Sequence, residues 1–386
     1  MNSPAVMDRA PATPLSGAPA SRETPDARVA ADPDCRVNAL PPSALFERYE
    51  SSRFLYPAKR ARLAPYRALI LDNWRRARRA GELLMAEISH EEPGGGWASV
   101  SGWRSTHGGW QSQHLVSSGT LAGGRAVMTT ALAMRADRGT DLAQQNWFSP
   151  SNRFAALVFG TVADSLGPAA ATVLPGDYLM VPLTLAHALG GPGSGPGPVT
   201  ELDGGACPEL AAFAARCRGE VFVRAESLDL GDLGLDEVDR LYRLVGLRRY
   251  RRIFVHHDRA GRIQAAALAT RGPLGFNFSF LENRCDLLVD PALDPPAARA
   301  AVGALLAAVA PVYADFEPAR IPVASETPMD RLLPAGAEPV RPYSRALWLG
   351  SSGQDFARHI DGLYERRRQG RGGAPAVAAT TPRRSA

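Results

Sequence analysis

The stretch WQSQHLV (residues 110–116), followed by a loop of small residues and then by GRAVMTTALAMR (124–135), occurs a second time in a related form. Near residue 285 the chain reads CDLLV (285–289), passes through a proline-rich loop and continues as ARAAVGALLAAV (298–309). Both stretches predict a strand, a loop and a helix in the same order. Two copies of so long a unit are typical of two related domains, because solenoids need shorter periods and more copies. The repeat therefore predicts two similar lobes.

The composition leaves room for that arrangement. The chain has 386 residues, of which 45% are hydrophobic, so two domains of ordinary size with sizeable cores can form. The formal net charge is +5, and arginines gather in clusters at 75–79, 248–252 and 366–368. Such clusters can bind phosphate, or they can be solvated helix ends. Because they are not interleaved with aromatic residues, as nucleic-acid stacking platforms are, we expect no nucleic-acid partner.

Several classes of protein are disfavoured by what the sequence lacks. None of the four cysteines forms a CxxC pair, which argues against a zinc ribbon, and their low number indicates a reduced compartment. His256 and His257 are neighbours on a predicted strand and would point to opposite faces, so we predict no metal site. The N-terminal residues lack the apolar core of a signal peptide, and the longest apolar run, 300–314, is short for a membrane span. We therefore expect a soluble, cytoplasmic protein without a membrane span.

Composition also divides the chain into segments. Residues 1–35 and 367–386 offer no apolar face to bury and are predicted to be disordered. The glycine- and proline-rich run at 189–198 cannot sustain a helix or a sheet and is predicted to be a linker or a long loop, and we place the linker between the lobes at 189–205. The segments on either side, 40–188 and 206–366, are the two predicted lobes.

The order of elements is similar in both lobes. Each pattern predicts helices, then an antiparallel run of three or four strands, one helix and further strands. The clearest local signal is a hairpin, in which the runs 97–106 and 110–116 flank the turn pair Gly108-Gly109. These patterns predict the α+β class, with two lobes that each contain a mostly antiparallel sheet flanked by helices.

This order of elements resembles the GNAT (Gcn5-related N-acyltransferase) fold in both lobes. In that family the strand–loop–helix unit binds the pyrophosphate of an acyl coenzyme A through the free amides of the helix N-terminus. The loop at 117–125 is glycine-rich but departs from the family spacing Gln/Arg-x-x-Gly-x-Gly/Ala, and the loop at 290–299 has no glycine and two acids. A plain loop and helix cap is the alternative to a cofactor site. The resemblance places cofactor-binding residues, if either lobe has them, in the first lobe at Gly119, Gly123, Gly124 and Arg125.

The predicted hairpin carries an unusual set of aromatic and imidazole side chains. If Gly108-Gly109 is a two-residue turn, alternation places Trp103, His107, Trp110 and His114 on one face. Trp103 and Trp110 could then contact a substrate, and either histidine could act as a general base near neutral pH. Cross-strand packing, with polar serines towards solvent, is the alternative.

Two other places carry candidate residues. The polar and aromatic loop QQNWFSPSNRF (144–154) precedes a predicted helix, where Ser151 or Asn152 could cap the helix and Asn152 and Arg153 could contact a ligand. The resemblance to the GNAT family implies a general base where the fourth strand begins and a tyrosine acid late in the sheet. Glu282 and Tyr343 occupy those positions in the second lobe; a turn with a local salt bridge is the alternative for Glu282.

The resemblance implies an N-acyltransferase that moves an acyl group from an acyl thioester to a small-molecule amine. Long-chain N-acyl amino acid synthases have a similar two-lobed build, so an acyl carrier protein could supply the thioester instead of acyl-CoA, which would also account for the atypical loop. The alternative is a non-catalytic binding or regulatory protein that kept the fold and lost the cofactor. The altered loop in both lobes favours that alternative, since a fold alone does not establish an activity.

Overall fold

The computed structural model describes residues 31–52, 54–136, 142–189, 198–205, 207–231, 233, 235–316, 319–329, 333 and 336–372. Most of the two predicted tails and the middle of the predicted linker lie outside these residues. The elements of the N-terminal half are β1 (Arg36–Val37), α1 (Pro42–Ser51), α2 (Pro57–Leu63), α3 (Arg67–Arg79), β2 (Met85–Glu91), β3 (Trp97–Thr106), β4 (Gly109–Ser118), α4 (Leu121–Ala136), β5 (Ala143–Phe148), α5 (Arg153–Phe159), α6 (Val162–Leu166), β6 (Ala171–Pro182) and α7 (Leu183–Leu189).

The C-terminal half begins with a short strand and ends with a long helix. Its elements are β7 (Val199–Glu201), α8 (Pro208–Arg218), α9 (Glu220–Ala225), α10 (Leu235–Leu244), β8 (Tyr250–His257), β9 (Ile263–Arg271), β10 (Cys285–Val289), α11 (Pro295–Val309), β11 (Arg320–Ser325), β12 (Glu338–Trp348) and α12 (Gly353–Gly372). Helix α12 extends to Gly372, which is further than the predicted start of the C-terminal tail at residue 367.

One sheet contains all twelve of these strands, in the order β1-β2-β3-β4-β5-β12-β6-β11-β10-β9-β8-β7. Neighbouring strands are antiparallel except for two pairs, β4–β5 and β10–β11, which are parallel. The predicted fold class is confirmed, since a large and mostly antiparallel sheet is flanked by helices.

Both copies of the sequence repeat form the predicted strand, loop and helix. In each copy the helix connects two parallel strands, β4 to β5 through α4 and β10 to β11 through α11, because a parallel pair needs a crossover connection. The two units lie in the same sheet on either side of its centre.

The last strand of each half lies among strands of the other half. Strand β6 lies between β12 and β11, and β12 lies between β5 and β6. The helices that follow are arranged in the same way, since α7 packs on α11 and α12 packs on α4. The centre of the sheet is therefore built from both halves of the chain.

The ends of the helices show why these segments are helical. The Asp294 side chain accepts a hydrogen bond from the backbone N–H of Ala297 (2.8 Å), and two prolines follow it in the first turn of α11. Thr120 serves α4 in the same way, because its Oγ1 accepts from the N–H of Gly123 (2.8 Å). Gly119, just before it, has a φ of +74°, which favours glycine.

Helix α11 lies in the largest apolar core. With the single turn that follows it, Pro295–Tyr313 is the one helix among the described residues that is long and apolar enough to cross a membrane. More than half of its most apolar window is buried, against residues such as Val289 and Val323. A core helix has the same length and composition, so this finding alone does not identify a membrane span.

A buried cluster of charged residues lies at the centre of the sheet, where the two halves meet. Arg345 of β12 is fully buried and pairs with Glu226 and Asp286, while its Nε donates to the side-chain oxygen of Gln145 (2.9 Å). Buried charges need such partners, because their transfer from water is otherwise costly. The principal members of the cluster are Arg218, Glu226, Arg251, Arg284, Asp286 and Arg345.

Candidate functional site

The parallel strands β4 and β5 separate and form a fork. Their last paired residues are Ser112 and Asn146, although β4 continues to Ser118. Beyond Ser112, β4 pairs only with β3, so its peptide groups on the β5 side have no partner strand. One side chain crosses the gap, since Nε2 of Gln113 donates to the carbonyl of Trp147 (3.3 Å).

A cavity of about 250 Å³ opens at this fork. Its walls come from β4, β5, the first turns of α5, the connection between α1 and α2, and the loop before β10. Polar side chains, among them Gln113, Asn146 and Ser279, form about as much of the wall as apolar ones. The aromatic side chains on its walls include Phe54, Tyr56, Trp147, Phe148, Phe154 and Tyr343.

His114 reaches the cavity because β4 contains a bulge. Two steps along β3, from Ser99 to Ser101, oppose three steps along β4, from Val116 to Gln113. His114 lies in the bulge with a φ of +57°. This backbone conformation is uncommon for a residue with a side chain and occurs most often at functional or strained positions.

The imidazole of His114 is buried in aromatic surroundings. It stacks on Phe278 with a centroid distance of 4.3 Å, and its Nε2 accepts a hydrogen bond from the Phe278 backbone N–H (3.4 Å). Burial, with a smaller contribution from the Lys59 charge, holds the pKa of His114 well below its usual range. The ring is therefore neutral at neutral pH, and an accepting Nε2 places its proton on Nδ1.

Tyr343 also lines the cavity, as the sequence-based hypothesis of a late tyrosine acid requires. It lies on β12, and its hydroxyl is 3.1 Å from Oγ of Ser279. Its ring packs edge to face on Trp147 (6.5 Å) and Tyr178 (5.6 Å). Tyr343 comes to the fork because β12 pairs with β5 in the centre of the sheet.

Lys59 lines the cavity and was not a sequence-based candidate. It lies on α2, where its side chain is buried, and its Nζ is 5.0 Å from the ring centre of Phe54 and 5.8 Å from that of Tyr56. In the sequence this lysine belongs to the basic run PAKRARL (57–63), which is typical of a solvated helix. The aromatic residues just before that run, Phe54 and Tyr56, were the local sequence signal that could have placed Lys59 in an aromatic cavity.

The predicted loop residues Asn152 and Arg153 have different positions. The side chain of Asn152 accepts a hydrogen bond from the N–H of Ala155 (3.3 Å), so the predicted helix cap is present, and Asn152 also lines the cavity. Arg153 follows it in the first turn of α5, is exposed and does not line the cavity.

The predicted cofactor residues lie at the N-terminus of α4, and none of them lines the cavity. Helix α12 covers this terminus: Nε of Arg125 is 2.9 Å from Oδ1 of Asp361, and a Cβ added to Gly124 would lie 3.5 Å from the Tyr364 hydroxyl. The Tyr364 ring also packs against Phe154 at the edge of the cavity (6.2 Å). Side chains of α12 therefore fill the space between the α4 terminus and the fork.

The prediction that the aromatic and histidine side chains of the β3–β4 hairpin all lie on one face is wrong. The turn residues are His107 and Gly108, and a bulge between Arg104 and Thr106 changes the alternation. Because a slip of one residue moves a side chain to the other face of a sheet, Trp110 lies on the face opposite to Trp103.

These hairpin residues have different neighbours from those predicted. Trp103 is buried against Phe276 (5.9 Å) on the α1 and α3 side of the sheet. Trp110 lies beneath α4, near Ala131. His107 lies in the turn and pairs with Glu237 of α10. None of these three side chains lines the cavity, and of the predicted set only His114 does.

Glu282 is fully buried and lies away from the cavity. Neither of its carboxylate oxygens has a hydrogen-bond partner within the described residues. Burial raises the pKa of Glu282 to about 8, and nearby backbone amides, those of Asn277 and Gly275 among them, offset only part of that effect. The predicted salt bridge to Arg284 is absent here, because Arg284 pairs with Glu226 and Asp286 instead.

The corresponding opening between β10 and β11 is filled. Their last paired residues are Asp286 and Ala324, and the Arg218 guanidinium donates to the carbonyl of Leu287 just beyond (2.8 Å). Arg218 also pairs with Glu326, so an internal ion pair occupies the space that is open in the first fork. Among the described residues the two forks therefore differ in accessibility.

One group of possible metal ligands lies elsewhere, near the start of the described chain. Ligand atoms of Asp32, Asp34 and His90 lie within 4.8 Å of one another. Asp34 is exposed, and an oxygen of Asp32 already accepts the Asp34 N–H (2.9 Å). Acidic groups of this kind are common without an ion, and we assign no metal to them.

Comparisons with known proteins give distant structural neighbours. No family model and no curated protein matches the chain. A Drosophila protein is 13% identical, with a TM-score of 0.39, over 83% of this chain and 99% of that chain. An Enterococcus faecalis protein titled a probable N-acyltransferase is 10% identical, with a TM-score of 0.32, over 83% and 74%. A GCN5-related N-acetyltransferase from Kribbella flavida is 14% identical, with a TM-score of 0.32, over 65% and 86%.

Proposed function

We propose that the chain is an N-acyltransferase that moves an acyl group from an acyl thioester to an amine in the cavity at the β4–β5 fork. The separation of the two parallel strands beyond Ser112 and Asn146 carries this proposal, because it joins backbone amides that have no partner strand to a cavity with polar and aromatic walls. We further propose that residues 40–188 and 206–366 are two GNAT-like lobes and that catalysis takes place only at the fork of the first, to which β12 of the second contributes Tyr343. The occupied fork beside Arg218 supports that assignment.

The donor thioester would lie along β4 beyond Ser112. Backbone N–H groups that face away from β3 could hold the carbonyl oxygen, on which negative charge develops during attack by the amine. The aromatic walls suit an acyl chain, since burial of apolar surface stabilises binding by about 25 cal/mol per Å². The donor would be acyl-CoA or an acyl carrier protein.

The proton transfers would fall to His114 and Tyr343, which both line the cavity. The amine nitrogen attacks the thioester carbon, the C–S bond breaks, and a proton must leave the nitrogen while the sulfur gains one. His114 is neutral, so its Nε2 could take the amine proton once the substrate displaces the Phe278 N–H from that nitrogen, although its low pKa makes it a weak base. The Tyr343 hydroxyl could donate the proton to the departing sulfur.

The acyl-transfer assay compares wild type with Tyr343→Phe on medium- and long-chain acyl-CoA and acyl-carrier donors. We expect turnover to fall by roughly 100-fold if Tyr343 is the acid. Tyr313→Phe is the matched control, because Tyr313 is also buried but lies in the single turn after α11 and does not line the cavity. Equal turnover of Tyr343→Phe and wild type would remove Tyr343 from the mechanism.

A non-catalytic binding protein is the second candidate, and the N-terminus of α4 favours it. Thr120 caps the helix and Asp361 pairs with Arg125, so the groups that would meet a donor phosphate already have partners. Absence of acyl transfer by wild type with every donor, together with saturable binding of a small ligand at the fork, would support this candidate and overturn the enzymatic one.

A further inference from the structure

The two nitrogens of the His114 ring have different surroundings. Nε2 accepts the Phe278 backbone N–H (3.4 Å), which leaves the proton of the neutral imidazole on Nδ1. Among the described residues Nδ1 has no hydrogen-bond partner, and it is not one of the polar atoms that the protein closes off from solvent. Because His114 lines the cavity at the fork, its Nδ1–H is a donor for a molecule that binds there.

The position of this donor is fixed by the rings around it. His114 stacks on Phe278 with an interplanar angle of only 18°, and the rings of Tyr49 (5.5 Å) and Phe54 (5.6 Å) pack against it edge to face. Its backbone is held in the bulge of β4. A donor that is held in this way needs little reorganisation when negative charge develops on the atom that it contacts.

The hydrogen bond to Phe278 also determines which proton the ring carries. The ring is neutral, because burial holds the pKa of His114 well below its usual range, and the bond to Nε2 selects the Nδ1–H form. If Nε2 later takes a proton, Nδ1 keeps its own and becomes a stronger donor, since a charged donor makes a stronger hydrogen bond. Nδ1 is therefore a donor in both states of the ring.

His114 lies beside the backbone groups that the fork leaves without a partner strand. It is two residues beyond Ser112, where the pairing of β4 with β5 ends. Sites that stabilise an oxyanion combine backbone N–H groups with side-chain donors, among which histidine is known. Both kinds of donor are thus present on one short segment of β4.

We propose that Nδ1–H of His114 binds the carbonyl oxygen of the acyl thioester, as a side-chain donor beside the backbone N–H groups of β4. When the amine attacks, the π electrons of the carbonyl move onto this oxygen, and they return when the C–S bond breaks. Nδ1 keeps its proton throughout and stabilises the negative oxygen. The inference rests on the proposed function in one respect, namely that the ligand at the fork is an acyl thioester.

Binding of two matched ligands to the full chain tests the proposal without any acyl transfer. S-hexanoylpantetheine contains the arm that coenzyme A and acyl carrier proteins share, and in the thioether S-hexylpantetheine a methylene replaces the carbonyl. Isothermal titration calorimetry would give the ratio of their affinities for wild type and for His114→Nδ-methylhistidine. The methyl group replaces the Nδ1 proton and leaves Nε2 to accept from Phe278. We expect this change to lower the preference for the thioester about fivefold, the factor for one neutral hydrogen bond.

The ratio separates the loss of a donor from the added bulk of the methyl group. Bulk alone would weaken both ligands equally and leave the ratio unchanged. The same replacement at His187, which is exposed on α7 and does not line the cavity, is the matched control and should bind like wild type. Near-ultraviolet circular dichroism would show that each variant is folded.

Nitrogen-15 NMR of histidine-labelled wild type gives a readout that needs no stable variant at this position. At pH 7 the His114 ring should show a protonated Nδ1 and a bare Nε2. Saturation with the thioester should shift the Nδ1 resonance, and saturation with the thioether should not. His114→Asn would assign these signals by their loss, because asparagine tolerates the backbone conformation of the bulge.

Three results would overturn the proposal. They are an Nε2–H form of His114 in wild type, an unchanged ratio of affinities in the folded Nδ-methyl variant, and no saturable binding of the thioester by wild type. Acyl transfer is a separate measurement. A thioester preference that depends on Nδ1–H, without transfer, would reject only the enzymatic function, whereas transfer with an unchanged ratio would reject only this role of His114.

Discussion

Single buried carboxyl groups make the stability of this protein depend on pH. Glu282 has no hydrogen-bond partner for either oxygen among the described residues, and burial raises its pKa to about 8. Glu87 on β2 is a second case, because burial raises its pKa to about 7 despite the nearby Arg78 charge. Both groups bind protons more tightly in the folded than in the unfolded chain, so their contribution to stability is complete below about pH 4.5 and is lost as pH rises through the folded pKa.

Glu282→Gln should therefore stabilise the protein at alkaline pH. The neutral amide has nearly the same shape and cannot ionise, so the midpoint of thermal unfolding at pH 8.5–9 should rise by several degrees over wild type, with a small difference near pH 4.5. Differential scanning fluorimetry between pH 4.5 and 9 measures this. Glu365→Gln, an exposed change on α12, is the control and should have no such pH dependence. A Glu282→Gln curve parallel to that of wild type would contradict the assignment.

At the scale of single elements, the β3–β4 hairpin depends on a close approach between the two halves of the chain. A Cβ on Gly109 would lie 2.5 Å from the carbonyl oxygen of Ala225 and 2.4 Å from the hydroxyl of Thr106. The same Thr106 hydroxyl donates to the Ala225 carbonyl (2.7 Å). The start of β4 is thus held against the end of α9. A side chain at Gly109 would push the backbone of β4 and that of α9 apart.

Gly109→Ala should lower the free energy of unfolding by about 1–3 kcal/mol or more, the range for overpacked sites. Gly94→Ala is the matched control, because nothing lies within 4 Å of a Cβ added there. Chemical denaturation of both variants measures the difference. The interpretation fails if Gly109→Ala is as stable as Gly94→Ala.

At the scale of the whole molecule, the exchange of β6 and β12 makes each half dependent on the other. Without β12, one edge of β5 and one edge of β6 would be unpaired, and without the C-terminal half β6 would also lose β11. Such edges favour aggregation. The fully buried Arg345 on β12 strengthens this dependence, since its partner Glu226 would be left without it.

A specific protease site inserted between Leu189 and Pro198 tests this dependence. After cleavage we expect the two fragments to co-elute in size-exclusion chromatography, because the central strands hold them together. Either fragment expressed alone should be insoluble, and their co-expression should restore soluble protein. Two fragments that separate after cleavage and remain folded would show that the halves are independent.

Local patterns in the sequence were sufficient to predict those helices, strands and caps whose formation depends on neighbouring residues. The repeat identified both strand–loop–helix units, and Asn152 was one of two predicted caps for α5 because capping needs only the next three residues. Alternation of residue types along strands and helices is likewise a local property. The predicted fold class followed from the order of such elements.

Only the tertiary structure decided which of these elements form the site. Tyr343 lines the same cavity as His114 because β12 inserts beside β5, and Lys59 lines it because α2 packs near the fork. Two bulges decided which hairpin residues face the cavity, and a bulge changes the face of later residues without a clear local signal. The sequence by itself determined the elements, since propensity and periodicity act over a few residues; the contacts between distant elements fixed the site, because they depend on how those elements pack.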